Sequence, residues 1–222
     1  MRIFESWRFA VKCIKLSYNL KVSLFAAGLL GVMGLVYELG NSVSGVGAVM
    51  LLTVAMYPAQ LLYSVCGSDL VQSSPYKKSM MTSIPTVITF CSSMIMYLPV
   101  LVLEGARSIL KPETMGHNIR TVLLCGLMLL VLQSYLGIAY KNFVIPMLAM
   151  AVFVVGIYNL MHFADNGTLL LSWISGITMP TAMAVGLGCA VLGSLLQYGL
   201  SLLLYKKPIS RTAMYGLLRQ QS

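Results

Sequence analysis

Charged residues are scarce in this sequence of 222 residues. Only 9% of the residues are Asp, Glu, Lys or Arg, whereas 58% are hydrophobic. Soluble folds carry about a quarter charged residues, so this composition, with a mean hydropathy of +0.84, excludes an ordinary soluble domain. No hydrophilic stretch is long enough for a second domain. We therefore interpret residues 1–222 as one transmembrane domain.

The sequence also lacks the residue patterns of common enzyme classes. It contains no HExxH motif, no GxSxG motif and no paired carboxylates inside an apolar run. Its five cysteines have no CxxC spacing, and its two histidines are far apart. A GxxxxGK[ST] phosphate loop is missing too, so Walker-type ATP hydrolysis is excluded. We expect neither catalysis nor a metal or cofactor on this chain.

Long apolar runs are what the sequence has instead. A helix needs about 20 mostly apolar residues to cross roughly 30 Å of hydrocarbon, and six segments meet this requirement. Because the runs are continuous rather than alternating, they indicate helices and not barrel strands. The predicted fold is an all-α integral membrane protein with six transmembrane helices. The predicted spans are Val22–Leu39, Val43–Val65, Ile84–Val102, Val122–Tyr140, Phe143–Phe163 and Met183–Tyr205.

A seventh apolar run, Leu169–Met179, is too short to cross a membrane. The turn signature Asn166-Gly167 precedes this run, and Pro180 follows it. These features predict an outer re-entrant helix over residues 166–181, between the fifth and sixth spans. An extended start of the sixth span is the alternative interpretation.

The distribution of Lys and Arg predicts the orientation, because cytoplasmic loops collect basic residues. With the N-terminus inside, only Arg107, Lys111 and Arg120 fall on the outer side. Both termini and the polar stretch 67–83 are then cytoplasmic. The net charge of +9 is explained by this topology and by phospholipid contact, and we expect no nucleic-acid partner.

The middles of the six predicted spans contain no ionisable residue. Carriers driven by an ion gradient usually place such residues near the midplane, where they hold the coupling ion. The sequence therefore argues against a proton-coupled or sodium-coupled carrier.

The N-terminal residues 1–20 predict an amphipathic helix that lies in the cytoplasmic membrane interface. Apolar residues, among them Ala10, recur at helical spacing, while cations and Glu5 fall on the opposite face. Such a helix places its apolar face in the lipid and its cations among headgroups. Phe9 falls on the polar side, either as a scattered apolar residue or as a contact for a partner. The residues assigned to the interfacial helix are Trp7, Arg8, Val11, Lys12, Ile14 and Lys15.

Small residues share one side of the first and last predicted spans. Such residues let helix backbones approach closely in lipid. They predict tight helix packing, either within the chain or across a dimer. The residues are Gly28, Gly31 and Gly34 in the first span, and Ala182, Gly186, Ala190 and Gly193 in the last.

The polar stretch 67–83 predicts a docking helix between the second and third spans. Ser74 is a good helix cap and Pro75 suits a first turn, so we expect a helix over residues 74–83. Its aromatic, cationic and pliable apolar side chains suit a groove on another protein. A solvated linker whose lysines only fix the topology is the alternative. The predicted coupling residues are Ser74, Pro75, Tyr76, Lys77, Lys78, Met80 and Met81.

This layout resembles the permease subunit of an ABC-2-type ATP-binding cassette transporter. The stretch "SDLVQSSPYKKSMMTSIPT", residues 68–86, looks like the loop of small permease-like proteins of Gram-positive bacteria. The stretch "YKKPISRTAMY", residues 205–215, is similar to the "LPISR" run of many such permeases, although here it follows the last span.

The resemblance implies an exporter subunit in a bacterial cytoplasmic membrane. Such permeases form homodimers or pairs of related permeases, and two cytoplasmic ATPase subunits bind the ATP and Mg. The helix over residues 74–83 would sit in a cleft of the ATPase, with the interfacial helix beside it. The expected cargo is a peptide, a drug or another amphipathic compound. The resemblance also implies a path along the second and fifth spans, with the candidates Tyr57, Gln60, Asn159 and Met161.

Two other classes remain open. A vitamin-binding capture subunit of an importer also has six spans and borrows an ATPase, and it would hold its ligand between outer loops. A non-transporting membrane protein, such as an immunity or scaffold factor, would not stimulate a partner ATPase.

Overall fold

The computed structural model describes residues 2–15, 17, 20–40, 45–66, 69–139, 152–153, 155–156, 159 and 176–206. Within these residues the chain forms helices and no strand, and five helical segments are long and apolar enough to cross a membrane. The all-α membrane class is therefore confirmed. The fifth predicted span, Phe143–Phe163, lies outside the described residues apart from a few helical positions, and so does most of the segment 166–181.

From Arg2 to Ala139 the described elements follow one another along the chain with at most a few residues between them. A 3-10 turn, Pro112–Thr114, joins the seventh helix to the eighth. The helices are α1 (Arg2–Lys15), α2 (Leu20–Gly40), α3 (Val46–Val54), α4 (Tyr57–Cys66), α5 (Asp69–Gln72), α6 (Lys77–Met81), α7 (Ser83–Leu110), α8 (Met115–Ala139) and α9 (Met179–Leu204).

The third and fourth spans are longer than the sequence predicts. Helix α7 continues past Val102 to Leu110, and α8 begins at Met115 instead of Val122. The hydropathy pattern excluded residues 103–121 from both predicted spans because several of these residues are charged. In the folded chain the charged side chains of Glu104 and Arg107 face a protein neighbour, so the helix continues through them.

The second span is divided into α3 and α4 at Ala55 and Met56. Pro58 has no N–H to donate, and its ring crowds the carbonyl four residues earlier, where α3 ends. The neighbouring span compensates for the break, because the Ser92 hydroxyl lies 2.7 Å from the Ala55 carbonyl oxygen. A polar side chain of α7 thereby donates a hydrogen bond to a carbonyl that the broken helix leaves unpaired.

The helices form a bundle with two distinct ends. At one end, α1 and α6 lie beside the end of α4 and the start of α7, and Lys78 lies over the Tyr205 ring just after α9. We call this the loop end. At the other end, which we call the far end, the end of α2 meets the start of α3 and the end of α7.

Helices α8 and α9 run parallel and pack closely along their length. A Cβ atom on Gly126 would lie 2.6 Å from the Gly186 Cα, and one on Gly137 would lie 3.0 Å from the Gln197 carbonyl oxygen. The small face of the last span therefore packs within the chain, against α8. In the first span, Gly34 packs against α3, whereas Gly28 has no described atom within 4 Å of an added Cβ.

Candidate functional site

The loop end of the bundle contains most of the residues that the sequence singles out. Helix α1 lies against α4 and α6 and buries Ala10 and Cys13, which are 0% and 2% exposed. Both pack in an apolar cluster that we call the loop-end cluster. The buried members of this cluster are Ala10, Cys13, Leu62, Cys66, Val71, Met80 and Ile84.

The predicted position of the α1 apolar face in lipid is wrong for the residues of this cluster. Ala10 is fully buried against protein, and Ile14 packs on the same cluster. Trp7 is half-buried, and Val11 is 44% exposed. The helical period of α1 is as predicted, but much of its apolar face contacts the chain's own loop.

Phe9, which the sequence left open between a scattered apolar residue and a contact for a partner, contacts the loop directly. Its ring centroid lies 5.5 Å from that of Tyr76, with the rings tilted by 32°. Aromatic pairs at this separation are favourable beyond the area they bury. The contact joins α1 to the residue immediately before α6.

Polar contacts fix the loop to the end of α4. The Gln72 amide nitrogen donates to the Cys66 carbonyl oxygen at 2.6 Å, and its second hydrogen faces the Met81 sulfur at 3.7 Å. The Cys66 thiol donates to the Met80 carbonyl oxygen at 3.4 Å. The loop is therefore tied to the second span through both backbone and side-chain groups.

The predicted helix over residues 74–83 is shorter than expected. Helix α6 comprises only Lys77–Met81, and α7 begins at Ser83. Ser74 nevertheless accepts a hydrogen bond at 3.2 Å from the Tyr76 N–H. Its hydroxyl thus satisfies a backbone donor in a turn just before the helix, which is the local role that serine favours.

Two of the predicted coupling residues face inward. Met80 and Met81 are 0% and 1% exposed, so their side chains are not available to a groove on another protein. Pro75 and Lys78 are exposed, and Tyr76 and Lys77 are half-buried. The accessible part of the loop is consequently its basic side, and the two methionines join this side to the bundle.

The outer face of α1 adds further positive charge to this end. Arg8, Lys12 and Lys15 are all exposed, and they share the helix with a single acid in the described range, exposed Glu5. The Lys78 ammonium lies 5.9 Å from the centre of the Tyr205 ring, a cation–π distance. The loop end therefore presents a basic surface formed by α1 and the loop.

Three of the candidate path residues, Tyr57, Gln60 and Asn159, belong to the described part of the chain. Tyr57 is half-buried and Gln60 exposed, both in the first turn of α4. Asn159 is exposed, and its amide donates to the Val155 carbonyl oxygen of its own turn at 2.7 Å. Met161 lies outside the described residues. The path along the second and fifth spans stays a prediction.

Polar side chains in the middle of the bundle connect three spans. The Gln133 amide nitrogen lies 3.3 Å from the Ser93 hydroxyl, and that of Gln197 lies 3.2 Å from the Thr89 hydroxyl. Both glutamines are fully buried. These contacts join α8 and α9 to α7 in a region where lipid offers no alternative partner.

The far end contains a buried ion cluster that the sequence did not predict. Arg107 Nη1 donates to Glu38 Oε1 and to Glu104 Oε1, each at 2.7 Å. The predicted third span ended at Val102, before Glu104 and Arg107, but both residues belong to α7, and Glu38 and Glu104 are only 1% and 2% exposed. We call Glu38, Glu104 and Arg107 the far-end cluster.

Comparison with protein-family models, curated protein sequences and solved structures found no match. Among the residues that the structure describes, no three His, Cys, Asp or Glu side chains are grouped so that they could hold a metal ion.

The docked position of α1 predicts that Cys13 resists modification. Burial raises the pKa of the Cys13 and Cys66 thiols, that of Cys66 to about 12 with a contribution from the adjacent Cys13. Since the thiolate is the nucleophile, a maleimide at pH 7.5 should label neither thiol until the chain is denatured.

The matched control is Val11→Cys in a chain whose other cysteines are replaced, compared with a chain that keeps only Cys13. Both thiols lie on α1, but Val11 is 44% exposed. We expect rapid labelling of the first variant and slow labelling of the second. Equal labelling of the two would mean that α1 lies in the interface without docking.

Proposed function

We propose that this chain is the membrane-spanning permease subunit of an ATP-driven exporter, energised by a separate cytoplasmic ATPase that binds the loop end. In this proposal the chain crosses the membrane six times with both termini in the cytoplasm. It pairs with a second permease and moves a peptide, drug or other amphipathic compound. The observation that carries the proposal is the packing of the 67–83 loop against α1, α4 and α7.

This packing suits a loop that receives mechanical work. Tyr76 contacts Phe9 of α1, Met80 belongs to the loop-end cluster, and Thr82 alone separates α6 from α7. Since packed interiors have low compressibility, a displacement of α6 would be passed to both adjacent spans and to α1. A solvated linker that only fixed the topology would not need buried methionines.

The basic side of the loop suits contact with a protein surface of opposite charge. Lys78 is exposed, and Arg8, Lys12 and Lys15 are exposed on the adjacent α1. Complementary charge increases the association rate and the specificity of a complex. The same cations would also meet anionic lipid headgroups if the loop end faces the cytoplasm.

The test is a reconstitution of this chain with a candidate cytoplasmic ATPase. The variant Lys77→Ala/Lys78→Ala removes the basic side of the loop but leaves Met80 and Met81 in the loop-end cluster. We expect it to bind the ATPase about tenfold more weakly, the effect of losing about 1.4 kcal/mol, and to lose stimulation of ATP hydrolysis. Its melting temperature should match that of the unchanged chain.

Lys21→Ala is the matched control, because Lys21 is an exposed cation at the start of α2. It should retain full coupling. If the double lysine variant also couples fully, the loop is not the ATPase contact. Tight binding of a vitamin by the purified chain alone would instead favour a capture subunit, and a chain that affects neither ATP hydrolysis nor cargo would favour an immunity or scaffold role.

A further inference from the structure

The far-end cluster has more negative than positive groups. Glu38 Oε1 and Glu104 Oε1 both contact the same nitrogen of Arg107 at 2.7 Å, so the two carboxylate oxygens are no farther apart than twice that distance. One guanidinium therefore faces two carboxylates. If both acids were ionised, the cluster would carry one excess negative charge.

Little water reaches this excess charge. Glu38 and Glu104 are 1% and 2% exposed, and the Arg107 side chain is 16% exposed. Helix α3 closes over Glu38 so tightly that a Cβ on Gly47 would lie 2.7 Å from Glu38 Oε2 and 2.5 Å from the Glu38 nitrogen. A buried charge without a partner is costly, and such a group usually becomes neutral instead.

The remaining neighbour on α8 is a neutral amide. Asn118 is 0% exposed, and in the amide orientation that satisfies its surroundings its nitrogen donates to Glu104 Oε2 at 3.0 Å. This contact orients the Glu104 carboxyl but adds no positive charge. It leaves the imbalance between one guanidinium and two carboxyls in place.

Other ionisable groups on the packed elements are few. Helix α3, Val46–Val54, carries none. The 3-10 turn and the residue before it contribute Glu113 and Lys111, both exposed, and α8 contributes half-buried His117, buried Arg120 and buried Cys125. Arg120 is the buried cation on these elements that could balance a second carboxylate, so the experiment below includes it.

From this geometry we infer that the far-end cluster binds one proton, shared between Glu38 and Glu104, and is electrically neutral in the folded chain. Two carboxyl groups held close together cannot both ionise readily, and a shared proton is the usual outcome. The proton neutralises one acid while Arg107 pairs with the other. The inference does not depend on the proposed transport function.

Infrared spectroscopy of the purified full chain in lipid nanodiscs tests the inference. A protonated carboxyl has a C=O stretching band that is distinct from carboxylate bands and shifts in deuterium oxide. The background is low because the chain has only six acidic residues. At neutral pH we expect the unchanged chain to show one such band, and we expect Glu38→Gln and Glu104→Gln each to lose it.

Thermal unfolding of the same variants provides a second readout. Glutamine resembles a protonated glutamic acid, so each single variant keeps one carboxylate for Arg107, and its melting temperature should stay close to that of the unchanged chain. The double variant leaves Arg107 without a carboxylate and should melt at a markedly lower temperature. Single variants that melt as low as the double variant would overturn the inference, because both acids would then be needed as anions.

The band in the unchanged chain is decisive even if a variant fails to fold. Its absence at neutral pH would overturn the proposal. So would its appearance only after Arg120→Gln, because Arg120 would then be the cation that balances the second carboxylate. A loss of ATPase coupling would change none of these signals, so failure of the proposed function is distinguished from failure of this inference.

Discussion

Replacing Arg107 with methionine is expected to lower the free energy of unfolding by about 3 kcal/mol. Removing one partner of a buried ion pair typically costs about 3 to 5 kcal/mol, because the remaining charge loses its compensation. The lower figure applies because the Arg107 side chain is 16% exposed. Methionine keeps the aliphatic part of the side chain, so the loss reports on the charge more than on packing. Denaturation of the purified chain in detergent micelles measures it.

Lys111→Met is the matched control for this variant. Lys111 lies one turn beyond Arg107 and is exposed. Exposed substitutions away from special features usually change stability by less than about 0.5 kcal/mol. A similar loss in both variants would mean that removing a positive charge from this end of the bundle lowers the stability, whether or not the charge is paired with Glu38 and Glu104.

Gly126→Ala is expected to destabilise the chain by about 1 to 3 kcal/mol, the usual range for an overpacked interior. The added Cβ would lie 2.6 Å from the Gly186 Cα and 3.2 Å from the Gly186 carbonyl oxygen. Both atoms belong to the backbone, so no rotamer change relieves the contact, and α8 must move away from α9. The measurement is again thermal unfolding in micelles.

Gly116→Ala controls for the chemistry of the substitution on the same helix. An added Cβ at Gly116 has no described atom within 4 Å, and alanine is the better helix former. This variant should be as stable as the unchanged chain or slightly more so. If Gly126→Ala is equally harmless, the close approach of α8 and α9 is incorrect.

The sequence predicts individual helices well because each depends on a local pattern. The first span was expected at Val22–Leu39 and is found at Leu20–Gly40, and the last was expected at Met183–Tyr205 and is found at Met179–Leu204. Apolar runs of this length leave few alternatives in a bilayer. The same reasoning gave the helical period of α1, Arg2–Lys15.

Contacts between residues on different helices are harder to predict, because a periodic pattern describes one helix at a time. The small residue Gly186 stood out in the last span, but nothing local pointed to Gly126 as the residue that it contacts. Likewise, a hydropathy scale scores Glu104 and Arg107 as two separate residues that are each unfavourable in a membrane helix. Arg107 pairs both with Glu104 and with Glu38, which is distant in the sequence, and these contacts offset the cost of burying the charges.

In the candidate site too, local features were predictable from the sequence and contacts between elements were not. The 67–83 stretch was identified from its polarity. Ser74 was expected to cap a helix over residues 74–83, but its hydroxyl accepts from the Tyr76 N–H in a turn before α6. Which side of the loop faces outward could not be read from the sequence, because the burial of Met80 and Met81 depends on contacts with α1 and α4. The role of the loop in coupling to an ATPase stays a proposal.

The docked N-terminal helix also has a consequence for the order of biosynthesis. Ala10 and Cys13 leave the ribosome early, but the residues they pack against, Leu62, Met80 and Ile84, are made later. Helix α1 therefore cannot complete this packing until residues 62–84 have been made. A nascent chain stalled before Leu62 should still expose Cys13 to thiol reagents, and a chain stalled well past α7 should protect it.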